Sequence, residues 1–129
     1  MSHISKKRLD ERVEKILKNK LVDVLEIIGK SRGVKYSLNE LLTFTEGVML
    51  AKRLAIIYLI YKDRSVLEIA ETLNVSTSTV IRIWKLYDRG GYQNLGKVFR
   101  KLEPSILDMI EILLTVLPSK TDYHRRLRD

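Results

Sequence analysis

The chain has 129 residues, of which 45% are hydrophobic, and it contains no cysteine. This length is typical of one domain with a core of its own, and the lack of cysteine excludes disulfides and thiolate metal sites. Lys and Arg number 24 against 16 Asp and Glu, which gives a formal net charge of +8. Such an excess of positive charge favours a polyanionic partner, either nucleic acid or an acidic membrane surface.

The sequence favours a protein outside the membrane. Its longest apolar stretch runs from Leu54 to Tyr61 and is too short to span a bilayer. The first residues, Met1 to Lys7, contain no apolar signal core. We therefore expect a cytoplasmic protein with no membrane partner, in keeping with the lack of cysteine.

The spacing of apolar residues is helical throughout, which predicts an all-α fold. The first predicted helix runs from Lys6 to Gly29, where apolar residues recur at three- and four-residue steps. Ser37 is expected to cap a short second helix over residues 38–42. Thr45 is expected to cap the third helix, which extends to about Lys62.

The third predicted helix is apolar around most of its circumference. Its apolar residues are Val48, Met49, Leu50, Leu54, Ala55, Ile56, Ile57, Leu59 and Ile60. A helix of this kind has to be covered on all sides, and a chain of this size offers few helices to cover it. We therefore expect a homodimer in which a second copy supplies part of the cover. A central helix within a monomer is the alternative.

Residues 65–87 have the pattern of a helix-turn-helix. Ser65 and Glu68 form a capping box that opens the first helix. Asn74 tolerates the left-handed backbone that a sharp turn requires, and Ser76 can cap the second helix. The expected inward residues of the second helix are Val80, Ile83 and Trp84.

The outward side of this second helix carries side chains suited to double-stranded DNA. Hydroxyls can bond phosphates or base edges, and an arginine can grip a guanine edge or a phosphate. Between residues 76 and 101 there are six cations and a single acid, Asp88. The expected DNA contacts are Ser76, Thr77, Ser78, Thr79, Arg82, Lys85 and Arg89. Further binding to the DNA backbone is expected from Lys97, Arg100 and Lys101.

After Tyr87 the sequence predicts a turn, and then a short helix over residues 95–101. Pro104 sits at the start of another apolar stripe, over residues 106–117, which Pro118 ends. We expect a single helical domain over residues 1–117 and a polar, mobile tail over residues 118–129.

Two stretches of the chain resemble the Trp repressor superfamily. They read LLTFTEGVMLAKRLA over residues 41–55 and EIAETLNVSTSTVIR over residues 68–82. The later Asp88-Arg-Gly-Gly-Tyr92 is similar to a stretch of the poorly characterised bacterial branch of that superfamily. The resemblance covers about residues 21–102. It implies an intertwined, all-helical homodimer that binds a two-fold operator and acts as a transcriptional repressor.

The resemblance also implies an effector pocket. In the tryptophan-responsive repressor two arginines enclose the indole ring of the corepressor, and their matches here are Arg53 and Arg82. A glycine follows the second arginine in that repressor, whereas this chain has Ile83 and then Trp84. Bulky side chains there would crowd the pocket. We therefore expect neither a tryptophan corepressor nor another cofactor.

Two alternatives remain open. A non-enzymatic helical module could use the basic surface to bind RNA or an acidic protein partner. The patterns Ser-Thr-Val-x-Arg-x-Trp and Arg-Gly-Gly-Tyr-x-Asn-Leu are also similar to the N-terminal helix-turn-helix of some transposases, which would make the chain a relic of such an enzyme.

The sequence offers little to support catalysis or metal binding. It has no glycine-rich phosphate loop, and no nucleophile stands beside an orienting base. The two histidines, His3 and His124, lie near opposite ends of the chain. We therefore expect no enzyme, no catalytic residues and no metal site.

Overall fold

The computed structural model describes residues 9–102 of the chain. The helices are α1 (Glu11–Lys30), α2 (Val34–Leu41), α3 (Phe44–Tyr61), α4 (Val66–Leu73), α5 (Thr77–Asp88) and α6 (Gln93–Lys101). There is no strand in this range, and the expected all-α fold is confirmed. The helix expected over residues 106–117, the tail over residues 118–129 and both histidines lie outside the described residues.

The chain divides between Leu50 and Ala51 into two units. In the first unit α1 packs against α2. α1 begins at Glu11 and not at Lys6, because Asp10 caps it by accepting a hydrogen bond from the N–H of Arg12 at 2.8 Å. The single domain over residues 1–117 stays a prediction.

The apolar stripe of α1 faces solvent in the isolated chain. Its residues are between 39% and 57% exposed, and they are Val13, Ile16, Leu17, Leu21, Val24 and Leu25, which we call the α1 stripe together with Leu9 just before the helix. No residue of α1 is buried. A solvent-facing stripe of this length is apolar surface that α2 leaves uncovered.

Two of the predicted helix caps were wrong. α2 begins at Val34 with Gly33 as its N-cap, so Ser37 is already inside the helix, where its N–H donates to the Gly33 carbonyl at 3.0 Å. The cap of α3 is Thr43 and not Thr45. The N–H of Glu46 donates to Thr43 Oγ1 at 3.1 Å, and the N–H of Thr43 donates to Glu46 Oε1 at 3.0 Å. Thr43 is the residue that stands three positions before a glutamate, as this reciprocal cap requires.

The core of the second unit is built around the C-terminal half of α3. Five consecutive residues there are at most 8% exposed, and they are Ile56, Ile57, Tyr58, Leu59 and Ile60. An aromatic cluster joins this half of α3 to α6, because the Phe99 ring lies 5.3 Å from that of Tyr58 and 5.4 Å from that of Tyr61. The end of α3 is therefore covered all round within the chain, as an apolar helix requires.

Three successive helices end on a left-handed residue. These residues are Asp63 at the end of α3 (φ 61°), Asn74 at the end of α4 (φ 53°) and Gly90 at the end of α5 (φ 81°). In each case the N–H of the following residue donates back to a carbonyl five positions earlier. The bonds are Arg64 to Leu59 at 3.0 Å, Val75 to Ala70 at 3.0 Å and Gly91 to Leu86 at 2.9 Å. This is the Schellman stop, and the role expected of Asn74 is confirmed.

Candidate nucleic-acid interface

α4, the turn over residues 74–76 and α5 form a helix-turn-helix. Ser65 caps α4 by accepting from the N–H of Glu68 at 3.1 Å, and Ser76 caps α5 by accepting from the N–H of Thr79 at 3.2 Å. The two helices pack on each other through buried side chains. These are Ile69 and Ala70 of α4 and Val80 and Ile83 of α5, none more than 6% exposed. A core of this kind holds α5 in one fixed orientation on α4.

Four of the expected DNA contacts share the outward face of α5. At about 100° per residue, Ser78, Arg82, Lys85 and Arg89 lie within about 60° of one another, on the side opposite the buried Val80 and Ile83. All four side chains are exposed. We call these four residues the α5 stripe. It is a polar surface with one hydroxyl and three cations along one helix face, which suits a nucleic acid.

Two apolar residues flank the α5 stripe and were not expected there. Ile81 is 39% exposed and Leu86 is 46% exposed, and both line the same surface as the stripe. Sequence reasoning missed them because an apolar residue on an amphipathic helix is ordinarily assigned to the core. Their spacing from Ser78 and Arg82, three or four residues, is the signal that could have found them.

The hydroxyl of Ser76 is occupied by the helix cap. Its Oγ accepts from the N–H of Thr79 and lies 3.1 Å from Ser78 Oγ and 2.8 Å from Thr79 Oγ1. A hydroxyl has one hydrogen and two lone pairs, so these three hydrogen bonds saturate it. Ser76 therefore acts on the shape of the turn, whereas the hydroxyls of Ser78 and Thr79 keep bonding capacity for a ligand.

Thr77 faces a different surface from the α5 stripe. It lines an open groove between α4 and α5, together with Leu67 and Glu71 of α4. The seven expected contact residues are thus brought to one short segment but not to one face. The stripe holds four of them, Ser76 and Thr79 lie in the cap, and Thr77 lies at the groove.

The expectation that Trp84 points into the core was wrong. Its side chain is 45% exposed, whereas Val80 and Ile83 are buried. Residue 84 lies at the edge of the buried face of α5, and an indole at such an edge is too large for its neighbours to cover. Trp84 is not among the residues that line the surface of the α5 stripe.

Positive charge continues from α5 into α6. Arg89 caps the end of α5, and Gly90 and Gly91 turn the chain so that α6 starts at Gln93, two residues before the predicted start. The three cations of α6 are exposed, and they are Lys97, Arg100 and Lys101. Asp88 is the single acidic residue between residues 76 and 101. The field over this half of the second unit is therefore positive.

The expected effector pair stays a prediction. Arg53 is exposed on α3, and Arg82 is exposed in the α5 stripe. Ile83, which follows Arg82, is 6% exposed and belongs to the core. The position that is glycine in the tryptophan-responsive repressor is thus filled by a packed side chain.

Residues 9–102 contain neither a metal-ion cluster nor a membrane-spanning helix. No group of three or more His, Cys, Asp or Glu side chains is placed there to hold a metal ion. In the same range, none of the helices is both long and apolar enough to cross a bilayer.

Comparison with known proteins gives one family. The family model described as Trp repressor protein matches residues 15–94, from α1 into the start of α6, and so includes the whole helix-turn-helix. No curated protein and no solved structure gives a significant match. Because the match spans more than half of the chain, this protein belongs to the Trp repressor family, a family of helix-turn-helix DNA-binding regulators.

Proposed function

We propose that the protein is a transcriptional regulator, acting as a repressor, that binds a specific double-stranded DNA sequence as a homodimer. In this proposal α5 is the recognition helix and enters the major groove. The observation that carries it is the α5 stripe, a hydroxyl and three cations on the one face of α5 that points away from its core. Because such a regulator has to reach genomic DNA, we also propose that the protein is located in the cytoplasm.

The chemistry of the α5 stripe matches a base edge flanked by phosphates. The major groove is wide enough for an α-helix, and an arginine can bond both acceptors of a guanine. We assign Arg82, at the middle of the stripe, to base reading. Ser78 lies one turn nearer the helix N-terminus, where the helix dipole also favours a phosphate. Lys85 and Arg89 are assigned to the DNA backbone.

The cations of α6 extend the same positive surface. Lys97, Arg100 and Lys101 are exposed and stand three and one residues apart. Contacts of this kind bind phosphates without reading sequence, and they release counterions from the DNA. We therefore expect affinity for any duplex to fall steeply as salt rises, with a sequence preference retained by α5.

A homodimer is supported by apolar surface in the first unit. The α1 stripe is solvent-facing in the isolated chain, and so are Val48 and Leu50 in the first half of α3. Surface of that extent is unusual for a monomer and typical of an interface. Two recognition helices in such a dimer would read half-sites about 34 Å apart, one turn of the double helix.

Selection of bound duplexes from a random pool tests the proposal directly. We expect an enriched two-fold sequence, selected equally with and without tryptophan. Arg82→Ala should weaken binding to that sequence by about 1–3 kcal/mol and relax the preference at one position of each half-site. Lys15→Ala removes the same charge from an exposed site on α1 and should leave both properties unchanged.

The same assay separates the alternatives. The protein is titrated with the selected duplex, single-stranded RNA and heparin over a series of salt concentrations. Equal binding to all three, with no enriched duplex, would contradict sequence-specific regulation and favour the RNA or acidic-partner module. Unchanged operator binding by Arg82→Ala would remove that residue from the interface.

A further inference from the structure

A second cavity lies within the second unit, where the end of α3, the end of α5 and α6 meet. Its volume is about 330 Å³. We call it the α6 pocket. Its lining includes three tyrosines and two cations, namely Tyr61, Tyr87, Tyr92, Lys97 and Arg100, and the remaining lining residues are two glycines and a glutamine. It is separate from the α5 stripe, since the two surfaces share no lining residue.

The tyrosines give the α6 pocket aromatic walls that are held in place. The Tyr61 ring lies 5.4 Å from that of the buried Phe99, which fixes it to the core. The rings of Tyr87 and Tyr92 lie 6.4 Å apart at 31° to each other. All three tyrosines are half-buried, so each keeps part of its ring accessible. Walls of this kind favour a planar ring through offset stacking and edge contacts.

The charged groups of the α6 pocket are both positive. Lys97 and Arg100 stand three residues apart on α6, on neighbouring positions of one helix face, and both are exposed. The described lining includes no Asp or Glu. Such a site attracts an anion and offers no partner to an ammonium group, which disfavours a zwitterionic amino acid. The volume is at the small end of the range for ligand sites, enough for one or two fused rings.

Gly96 keeps one side of the α6 pocket open. It lies in the interior of α6, and a Cβ built there would meet no atom within 4 Å. Glycine in a helix interior is about 1 kcal/mol less favourable than alanine, so the fold itself gains nothing from it. Because Gly96 lines the pocket, a larger side chain at this position would project into open space beside it.

We propose that the α6 pocket binds a small aromatic carboxylate. Its ring lies against Tyr87 and Tyr92, and its carboxylate lies on the guanidinium of Arg100 and the ammonium of Lys97. No residue of the pocket belongs to the α5 stripe, so the proposal does not depend on base reading by α5, although Lys97 and Arg100 are also two of the cations that the proposed function gives to the DNA backbone. A DNA phosphate held by the same two cations is the competing use of the site.

The test uses the full chain and 2-naphthoate as the probe. Two matched compounds accompany it, the neutral 2-naphthylmethanol and the zwitterionic 3-(2-naphthyl)alanine. We expect saturable shifts of the backbone amide signals of Tyr87, Tyr92 and Lys97 in a 15N–1H NMR titration. The alcohol has no carboxylate for Lys97 and Arg100, and the amino acid brings an ammonium group close to these two cations. Each control compound should therefore bind about ten-fold or more weakly than 2-naphthoate.

Variants locate the binding site. Lys97→Gln and Arg100→Gln should each weaken 2-naphthoate binding about ten-fold. Lys101→Gln is the control, because Lys101 is exposed on the same helix but does not line the pocket, and it should bind normally. Gly96→Leu should abolish binding by filling the cavity, whereas Gly96→Ala should retain it. Circular dichroism tests whether each variant is folded. If Gly96→Leu does not fold, Lys97→Gln and Arg100→Gln decide the outcome.

Three results would overturn the proposal. Equal affinity for 2-naphthoate and 2-naphthylmethanol would mean that Lys97 and Arg100 do not bind the carboxylate. An equal loss with Lys101→Gln would mean general attraction to a basic helix. Normal 2-naphthoate binding by Lys97→Gln and Arg100→Gln, together with weakened duplex binding, would assign the pocket cations to a DNA phosphate. If the protein bound no duplex, the proposed function would fail, but the 2-naphthoate titration would still test the α6 pocket.

Discussion

At the scale of single residues, two serines that stand two positions apart at the start of α5 have different roles. The hydroxyl of Ser76 is saturated by three bonds inside the cap, whereas Ser78 lies in the α5 stripe. Ser76→Ala should lower the free energy of unfolding by about 1 kcal/mol, the usual cost of a lost helix cap. Ser78→Ala should leave it nearly unchanged and weaken binding to the selected duplex. Urea unfolding and duplex titration measure the two effects.

This pair also serves as its own control. Both variants remove one hydroxyl from the same turn of the chain, so general effects of truncation cancel. If Ser78→Ala proved the more destabilising of the two, the cap would be wrongly assigned. If Ser76→Ala alone weakened duplex binding while stability was unchanged, the hydroxyl of Ser76 and not that of Ser78 would face the DNA.

Three glycines of the second unit should respond differently to alanine. Gly90 has φ 81°, where an L-residue is strained, so Gly90→Ala should cost about 1 kcal/mol. A Cβ at Gly91 would lie 2.8 Å from the carbonyl oxygen of Leu86, so Gly91→Ala has to move backbone and should cost more. Gly96→Ala should stabilise by up to about 1 kcal/mol through helix propensity.

Thermal and urea unfolding of the three variants give this ranking. From the most to the least stable, the expected order is Gly96→Ala, wild type, Gly90→Ala and Gly91→Ala. A stabilising Gly90→Ala would contradict the left-handed end of α5. A destabilising Gly96→Ala would mean that the α6 pocket is already filled by other atoms.

Sequence patterns predicted individual residues well where one local rule decides. Val80 and Ile83 are spaced as an inward face and are buried, and Asn74 suits a left-handed turn and adopts one. Trp84 follows the same spacing but is half exposed, because residue size and the extent of the neighbouring core decide its burial. Periodicity contains no information on either quantity.

At the scale of the helices, the start of α3 contains a titratable cap. The N–H of Thr43, and then its side chain, hydrogen-bond the Glu46 carboxylate and lower its pKa. Thr43→Ala should raise the pKa of Glu46 toward its usual value, though part of the shift should remain because the N–H is kept. Thr45→Ala, two residues further on, is the matched control and should leave the pKa unchanged. Carbonyl-detected NMR titration of Glu46 measures both.

The sign of the pH effect follows from the direction of this shift. A carboxyl whose pKa is lower in the folded chain contributes stability above its unfolded pKa. That contribution is lost as pH falls through the folded pKa. The first turn of α3 should therefore fray at acidic pH, and Glu46→Gln should remove this dependence. A pKa of Glu46 at its usual value in the wild-type chain would mean that the cap is not formed in solution.

The start of a helix could be predicted where a capping side chain marks it. α4 and α5 both begin after a serine cap and were predicted at the right place. α2 begins after Gly33, which has no side chain to mark a cap, and its start was missed by about a turn. α3 has a true capping box, but two threonines stand near Glu46 and the wrong one was chosen.

At the scale of the whole molecule, the proposed homodimer rests on which face of α1 is apolar. Leu17 lies in the α1 stripe and is 53% exposed, and Val22 lies on the opposite side and is 52% exposed. Leu17→Glu should dissociate the dimer, because a carboxylate would be buried without a partner. Val22→Glu should leave it intact. Sedimentation equilibrium over a range of protein concentrations reports both.

The near-equal exposure of these two residues in the single chain makes the comparison sharp. Any general effect of a glutamate on α1 is common to both variants. If the wild-type protein were monomeric at all concentrations, the homodimer in the proposed function would be contradicted. Dissociation by Val22→Glu and not by Leu17→Glu would place the interface on the other face of α1.

Local sequence patterns predicted the helices of the single chain, but they do not predict how two chains assemble. Apolar spacing, caps and turn residues act over a few positions, and they predicted an all-helical chain with a helix-turn-helix. The α6 pocket was not foreseen, since it depends on Tyr61 of α3, Tyr87 of α5 and Arg100 of α6 coming together from different helices. The α1 stripe signals that apolar surface needs cover, and the sequence of one chain does not say what covers it.

The three left-handed helix ends at Asp63, Asn74 and Gly90 bear on how the chain reaches its fold. Each joint closes within six residues through a backbone bond, so the connections from α3 to α6 involve only short loops. Chains dominated by such short-range closures have low contact order and fold in microseconds to milliseconds. The surface bearing Arg82 would therefore be assembled early, before any encounter between two copies of the chain.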